Sequence, residues 1–375
     1  MDYYAYGGVC LARPQNEPLP PGALRVSEPF DPTVFLFYDL SPQAAGLIHT
    51  NGKTLLNTAY ANAYRVLDRM LAPPPRFRLN LVGLGDVGGA LLTGLKLLGH
   101  DVEQIGIFDP DEARMARYEM ELNQVLPIDG RPLPKITCTG QDQLFACDAL
   151  LFTASKGVPP LGQGGDVRMA QYAANAALLA GYARQARDQG FTGLFCQISD
   201  PVDHLARSLF LASNRQAGGP FDGCGLLPEQ IQGYGLGVMA ARAAYYAEKE
   251  GVDFSQGRAY GPHGAGLVIA NAPGEGYDDV LSRRLTALAR DGNLQVRALG
   301  YKPYIAPGLS SACVGVLQTL RGAWHLGSVP IKGIYFGCKS RFGPLGLELF
   351  AEDLHPLLLE RLKACYKALQ EATPL

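Results

Sequence analysis

The chain has 375 residues, 47% of them hydrophobic and 18% charged, with a formal net charge of −2. That length supports a large core and about two domains. The charge balance excludes a basic nucleic-acid footprint, and no run of like charge marks a solvated interaction tail. No apolar run reaches membrane-spanning length, and the N-terminus MDYYAYGGVC lacks the charged and apolar regions of a signal peptide. The eight cysteines are scattered, with no C-x-x-C pair and no zinc-like spacing with histidine. Reduced thiols, no metal and a cytoplasmic location are expected.

Residues 1–72 read as a small N-terminal unit. PQNEPLPPGA is a Pro-rich loop, TVFLFYDL (33–40) a buried strand, and LLNTAYANAYRVLDRML (55–71) a helix by its apolar spacing. APPPRF (72–77) is a boundary, because consecutive prolines cannot continue a helix. Beyond it, strands and helices alternate. RLNLVGLG leads into a helix over 86–98, then EQIGIFD. DALLFTAS (148–155) and GLFCQISD (193–200) are two more strands, with a long helix over 167–190 between them. This alternation predicts an α/β fold with a doubly wound parallel sheet over 78–200. An α+β domain over 201–375 follows, with a strand at KGIYFGC (332–338) and a closing helix over 351–372.

The first βα turn contains Gly83-x-Gly85-x-x-Gly88, with an acid, Asp109, 26 residues after Gly83. Gly83 permits the tight turn, Gly85 lets a pyrophosphate approach the backbone, and Gly88 lets the helix pack on the strand. Asp109 can accept ribose hydroxyls and would repel a 2′-phosphate, which favours NAD over NADP. These features predict a Rossmann-type dinucleotide site.

Several further stretches follow in one order: VGLGDVGG, ARYEMELNQ, LLFTASKGVPP, DVRMAQYAANAALL, ISDPVDHL, GYGLGVMAARAAYYAEKEGVD, YGPHGAGL and GIYFGCKSRFGPLGLELF. From about Leu79 to the C-terminus this resembles the lactate/malate dehydrogenase family. The resemblance implies hydride transfer between NAD(H) and a small 2-oxo or 2-hydroxy acid. It places His263 as acid/base, Arg168 on a mobile loop as carbonyl polariser, and Arg242 as carboxylate anchor. Lys302 would add a contact to the substrate carboxylate. Asp86, Val87, Thr153, Ala154, Ser155 and Asn175 would border the cofactor beside the three glycines and Asp109. The partners implied are a small carboxylate and further copies of the chain, as a homodimer or homotetramer, with no nucleic acid and no membrane.

Four positions depart from the family pattern. The aspartate that orients the histidine falls at Met239, the nicotinamide-side asparagine at Asp200, and the residues flanking the histidine turn at Pro262 and Ala265. The mobile loop lacks the arginine typical of malate enzymes, with Lys156 and Gln163 as its candidates. Asp200 is therefore expected either to become the carboxylate partner of His263 or to recognise a positive group on an amino or imino acid. A non-catalytic NAD-binding protein on the same fold is the reading from another class. Asp200 as a helix cap, Asp203 as a helix start, and His49, His100, His204, His325 and His355 as surface or helix-end residues complete the expectations.

Overall fold

The computed structural model describes residues 2–6, 9–13, 24–25, 46–50, 53–156, 171–216 and 219–372. Five strands come first: β1 (Asp2–Tyr6), β2 (Val9–Arg13), β3 (Leu24–Arg25), β4 (Leu47–Thr50) and β5 (Lys53–Asn57). Helix α1 (Ala63–Leu71) follows. The strand expected at 33–40 lies outside the described residues. The helix expected from residue 55 begins later. Leu55 and Leu56 are both buried, one on each face of β5, and the Asn57 side chain then accepts the Ala59 N–H at 3.0 Å to form a turn.

The next stretch is β6 (Phe77–Val82), α2 (Asp86–Leu98), β7 (Val102–Phe108), α3 (Glu112–Asn123), β8 (Lys135–Cys138) and β9 (Ala149–Phe152). Then come α4 (Tyr172–Asp188), β10 (Leu194–Gln197), α5 (Val202–Ser213) and β11 (Ile231–Gly233). The strands lie in the order β8-β7-β6-β9-β10-β11, every neighbour parallel. Leu79, Leu81, Leu150, Leu151 and Phe152 are buried, as in strands covered on both faces. The order reverses between β6 and β9, which opens a crevice at their carboxyl ends. This is the Rossmann-type α/β arrangement. Its sixth strand comes from residues 231–233, beyond the expected division at 200.

The remainder is α6 (Leu236–Lys249), β12 (Arg258–Tyr260), β13 (Val268–Ala270), α7 (Asp279–Ala298), a π-helical segment (Pro307–Cys313) and α8 (Val314–Leu320). Strands β14 (His325–Ile331), β15 (Ile334–Gly343), β16 (Gly346–Leu349) and helix α9 (Pro356–Glu371) close the chain. Local chemistry sets several helix starts. Asp111 and Asp278 cap α3 and α7 by accepting backbone N–H groups at 3.0 Å. Strand β14 pairs antiparallel with β11, and β15, β16, β4, β5, β2, β1 and β3 extend the same sheet to 14 strands. The N-terminal strands thus continue the common sheet, joined where β4 runs parallel to β16. Among the described residues no helix is long and apolar enough to cross a membrane.

Two buried titratable groups were not foreseen. His325, expected near the surface, is buried at the start of β14, stacks on Tyr234 and meets Thr319 Oγ1 at 3.1 Å. Burial pushes its pKa down to about 4, so the ring is neutral at pH 7. Glu229 accepts the N–H groups of Gly46 and Leu47 at 3.0 Å and ties β4 to the body of the protein. Burial pushes its carboxyl from the usual 4.5 up to about 7, against the opposing pull of those N–H groups. The folded state therefore binds this proton more tightly than the unfolded chain. The resulting stabilisation is complete below about pH 4.5 and lost as pH rises through about 7. Urea unfolding across that window should lose roughly 3 kcal/mol as pH rises, and Glu229→Gln should flatten the slope.

Candidate active site

At the end of β6, Gly83 turns with φ 94°, and a Cβ there would lie 2.8 Å from the Ala154 nitrogen. Thr153 donates its hydroxyl to the Gly83 carbonyl at 2.7 Å. A Cβ on Gly88 would fall 2.1 Å from that same carbonyl oxygen, so α2 packs directly on the turn. Gly85 differs. It is the N-cap of α2, its φ is −70°, and its Cβ position has no atom within 4 Å. The free N–H end of a helix thus faces open space at the switch point, as a phosphate requires. Asp109, just past β7, is buried and accepts the N–H of Leu84 at 2.7 Å and of Asp111 at 3.0 Å. Arg114 pairs with it at 3.3 Å. An ionised carboxylate retains lone pairs beyond those contacts. Gly85, the start of α2 with Asp86 and Val87, and Asp109 are the residues that could hold a dinucleotide.

Other residues expected around the cofactor act on the protein itself. Asn175 is buried, and its amide accepts the Lys156 N–H at 2.8 Å and donates to the Asp200 carbonyl at 2.9 Å and to Ser155 Oγ at 3.3 Å. It positions the strand end rather than offering a free amide to a ligand. The Ala154 carbonyl accepts the Ser199 hydroxyl at 2.7 Å. Lys302 was expected on the substrate wall, but its Nζ lies 2.9 Å from Asp86 Oδ2, in the first turn of α2. The reason is the π-helical segment that follows it, where Gly308 packs against Ala90 and brings residue 302 over the glycine loop.

His263 sits in the turn between β12 and β13. Gly261, at φ 78°, donates its N–H to the Gly337 carbonyl on β15 at 2.8 Å, and a Cβ there would lie 2.8 Å from Cys365 Sγ. On the other side His263 rests on Gly235, the N-cap of α6, where a Cβ would come within 2.6 Å of the histidine. This close seat explains the small residues around the histidine. His263 Nδ1 lies 3.3 Å from Asp200 Oδ1, with side-chain exposures of 10% and 36%. The structure therefore brings together the two residues whose pairing the sequence suggested. Asp200 does not cap α5; Pro201 holds that position without a side-chain bond.

Asp203 has a role that its sequence position hid. It is buried, Oδ1 accepts the Ser328 hydroxyl at 2.5 Å, and Oδ2 accepts the His263 N–H at 3.3 Å. Burial pushes its carboxyl up. The available signal was the pair of carboxylates three residues apart in ISDPVDHL, one just before α5 and one in its first turn. Asp203→Ala would leave two donors without an acceptor and should cost about 3 kcal/mol in urea unfolding. Unchanged stability would mean that the carboxylate does not hold the turn.

Met239 is buried against Leu236, Val238 and Leu285, and no carboxylate stands in its place. Arg242, on α6, directs its guanidinium toward α7, 3.5 Å from the Ala289 carbonyl and 3.8 Å from the Met239 sulfur. Arg168 and Gln163 lie outside the described residues. Among the described residues no group of three or more His, Cys, Asp or Glu side chains is arranged to hold a metal ion.

No family model matches the chain. It is 27% identical over 190 residues to an L-lactate dehydrogenase from Treponema denticola, an alignment covering 50% of this chain and 55% of that protein. Over this stretch the chain is similar to L-lactate dehydrogenases. It spans about half the length of the curated relatives it matches. In fold, it is similar to the malate dehydrogenase from Picrophilus torridus, with a TM-score of 0.62 at 18% identity over 79% of this chain and 96% of that one. It is also similar to the lactate dehydrogenase from Cryptosporidium parvum complexed with lactic acid and nicotinamide adenine dinucleotide. That match has a TM-score of 0.61 at 19% identity and covers 80% of this chain and 99% of the other. Asp200 and Met239 stand where the resemblance leads one to expect asparagine and aspartate, and strands β1 to β5 extend the common sheet.

Proposed function

We propose that this chain is an NAD-dependent oxidoreductase that moves hydride between NAD(H) and a small 2-oxo or 2-hydroxy acid. The observation that carries the reading is the approach of His263 to Asp200 at 3.3 Å, on a turn seated against the N-terminus of α6. Bound at the glycine loop, the dinucleotide supplies the hydride donor or acceptor. Gly85 and the start of α2 bind its pyrophosphate, and Asp109 takes ribose hydroxyls. Asp109 disfavours a 2′-phosphate, and Arg114 offsets part of that charge. Asp200, 3.3 Å from Nδ1, would hold the proton of His263 there when the pair closes to a hydrogen bond. Nε2 is left to take the substrate hydroxyl proton during oxidation and return it during reduction. Arg168 is the cation proposed for the substrate carbonyl, and Arg242, directed here toward α7, would reach the substrate carboxylate only through a change of rotamer. A homodimer or homotetramer and a cytoplasmic location belong to the same proposal.

A second substrate class is favoured by the partial exposure of the Asp200 carboxylate beside the histidine. There it can pair with the nitrogen of an amino or imino acid. NADH oxidation against a panel of 2-oxo acids, with and without ammonium, separates the two. Turnover without ammonium supports the hydroxy acid, and strict dependence on ammonium supports the amine. NADH binding with no turnover on any substrate overturns the enzyme reading.

A further inference from the structure

We propose that a second cavity, not lined by the glycine loop, binds a small organic anion with a flat apolar body, of the aromatic carboxylate class. The cavity has a volume of about 350 Å³ and opens between α6, α8 and the β14–β15 hairpin. That volume lies within the range of small-molecule sites, about 300–1,000 Å³. Neither His263 nor Asp200 lines it, and neither does any residue of the glycine loop.

Its walls have two chemistries. Arg258 and Lys339 supply two cations, and no carboxylate lines the cavity. Arg258 is partly neutralised by Glu352 at 2.8 Å. Lys339 lies 3.6 Å from the centre of the Phe350 ring, and among the described residues no carboxylate pairs with it. Val314, Leu326 and Trp324 form an apolar wall, with the Gln318 amide nearby. His325 also borders the cavity, but it is neutral, and both ring nitrogens already face protein partners, Thr319 and Ala323. A partly desolvated cation beside an indole and two aliphatic side chains matches a ligand with one acid group on a flat apolar body.

The cavity shares two elements with the His263 turn. Arg258 opens β12, which runs directly into that turn. Gly237 lies in the first turn of α6, whose N-cap rests on His263. Occupancy therefore touches the elements that seat the histidine.

The test uses the one tryptophan of the chain, which lines the cavity. Arg341 lies over its ring at 4.6 Å, and Phe350 meets it edge-on at 5.1 Å, so its emission reports this environment. Benzoate titrated into the full-length chain should change Trp324 emission saturably, and inorganic phosphate at equal concentration should not. Lys339→Gln should weaken benzoate binding about tenfold with the melting temperature unchanged, and Lys339→Arg should restore it. His263→Ala should leave the titration intact, which separates this site from the proposed catalytic one. No saturable change overturns the proposal, as does a change that survives Lys339→Gln. An equal response to phosphate overturns the requirement for an apolar body.

Discussion

His263→Ala should lower turnover about 10³-fold and leave NADH binding intact. In the proposed mechanism the imidazole carries the substrate hydroxyl proton, whereas the residues proposed to hold the cofactor lie on the glycine loop and at Asp109. Steady-state NADH oxidation beside a fluorescence titration of NADH reads the two separately. Loss of both would mean that the alanine has unseated the turn, which packs on Gly235 and Cys365. Retention of both would make His263 a structural turn residue. Asp200→Asn sharpens the result, because asparagine is the residue the family pattern places there. If Asp200 only replaces that asparagine, the change should be neutral or beneficial. If Asp200 is the partner of His263, at 3.3 Å, the amide removes the counter-charge of the imidazolium, and turnover should fall about 10²-fold.

Two alanine substitutions in the glycine loop should have opposite signatures. Gly85→Ala places its methyl where no atom lies within 4 Å, at a φ of −70° that any residue adopts. Its stability cost should stay within about 1 kcal/mol, the loss from a poorer N-cap. On the proposed cofactor placement the same methyl stands in the path of the pyrophosphate, so the Kd for NADH should rise about 10²-fold. Gly88→Ala brings its methyl to 2.1 Å from a backbone carbonyl oxygen. The helix must then move off the turn, at a cost of about 3 kcal/mol. Thermal unfolding and NADH titration of both variants make the comparison. An unchanged NADH affinity in Gly85→Ala would mean that the loop is a strand–helix turn without a ligand.

The parallel sheet and its first turn were legible in the chain because their signals are local. Strand RLNLV, the Gly83, Gly85 and Gly88 triplet, the helix from Asp86 to Leu98 and the acid at Asp109 are contiguous or a fixed step apart. Each has one physical reading: a buried strand, a turn without side chains, and a helix that must pack close. The histidine turn was legible for the same reason, since Gly261, Pro262, Gly264 and Gly266 mark a bend wherever they occur.

What joined these pieces depended on contacts between residues far apart in the chain. Asp203 lies 60 residues from His263 and looked like a helix-start acid; only packing of α5 under the turn makes it the acceptor of the His263 N–H. Lys302 lies 216 residues from Asp86, and the π-helical segment behind it decided that it faces the glycine loop. His325 looked like a surface residue until β14 placed it between Tyr234 and Thr319. The N-terminal strands read as a separate unit because a Pro-rich stretch follows them, yet β4 joins β16 and Glu229 holds its backbone. Periodicity and glycine chemistry report the neighbours of a residue along the chain. Burial, pairing and charge environment are set by the neighbours it meets across the fold, and those only the tertiary structure decided.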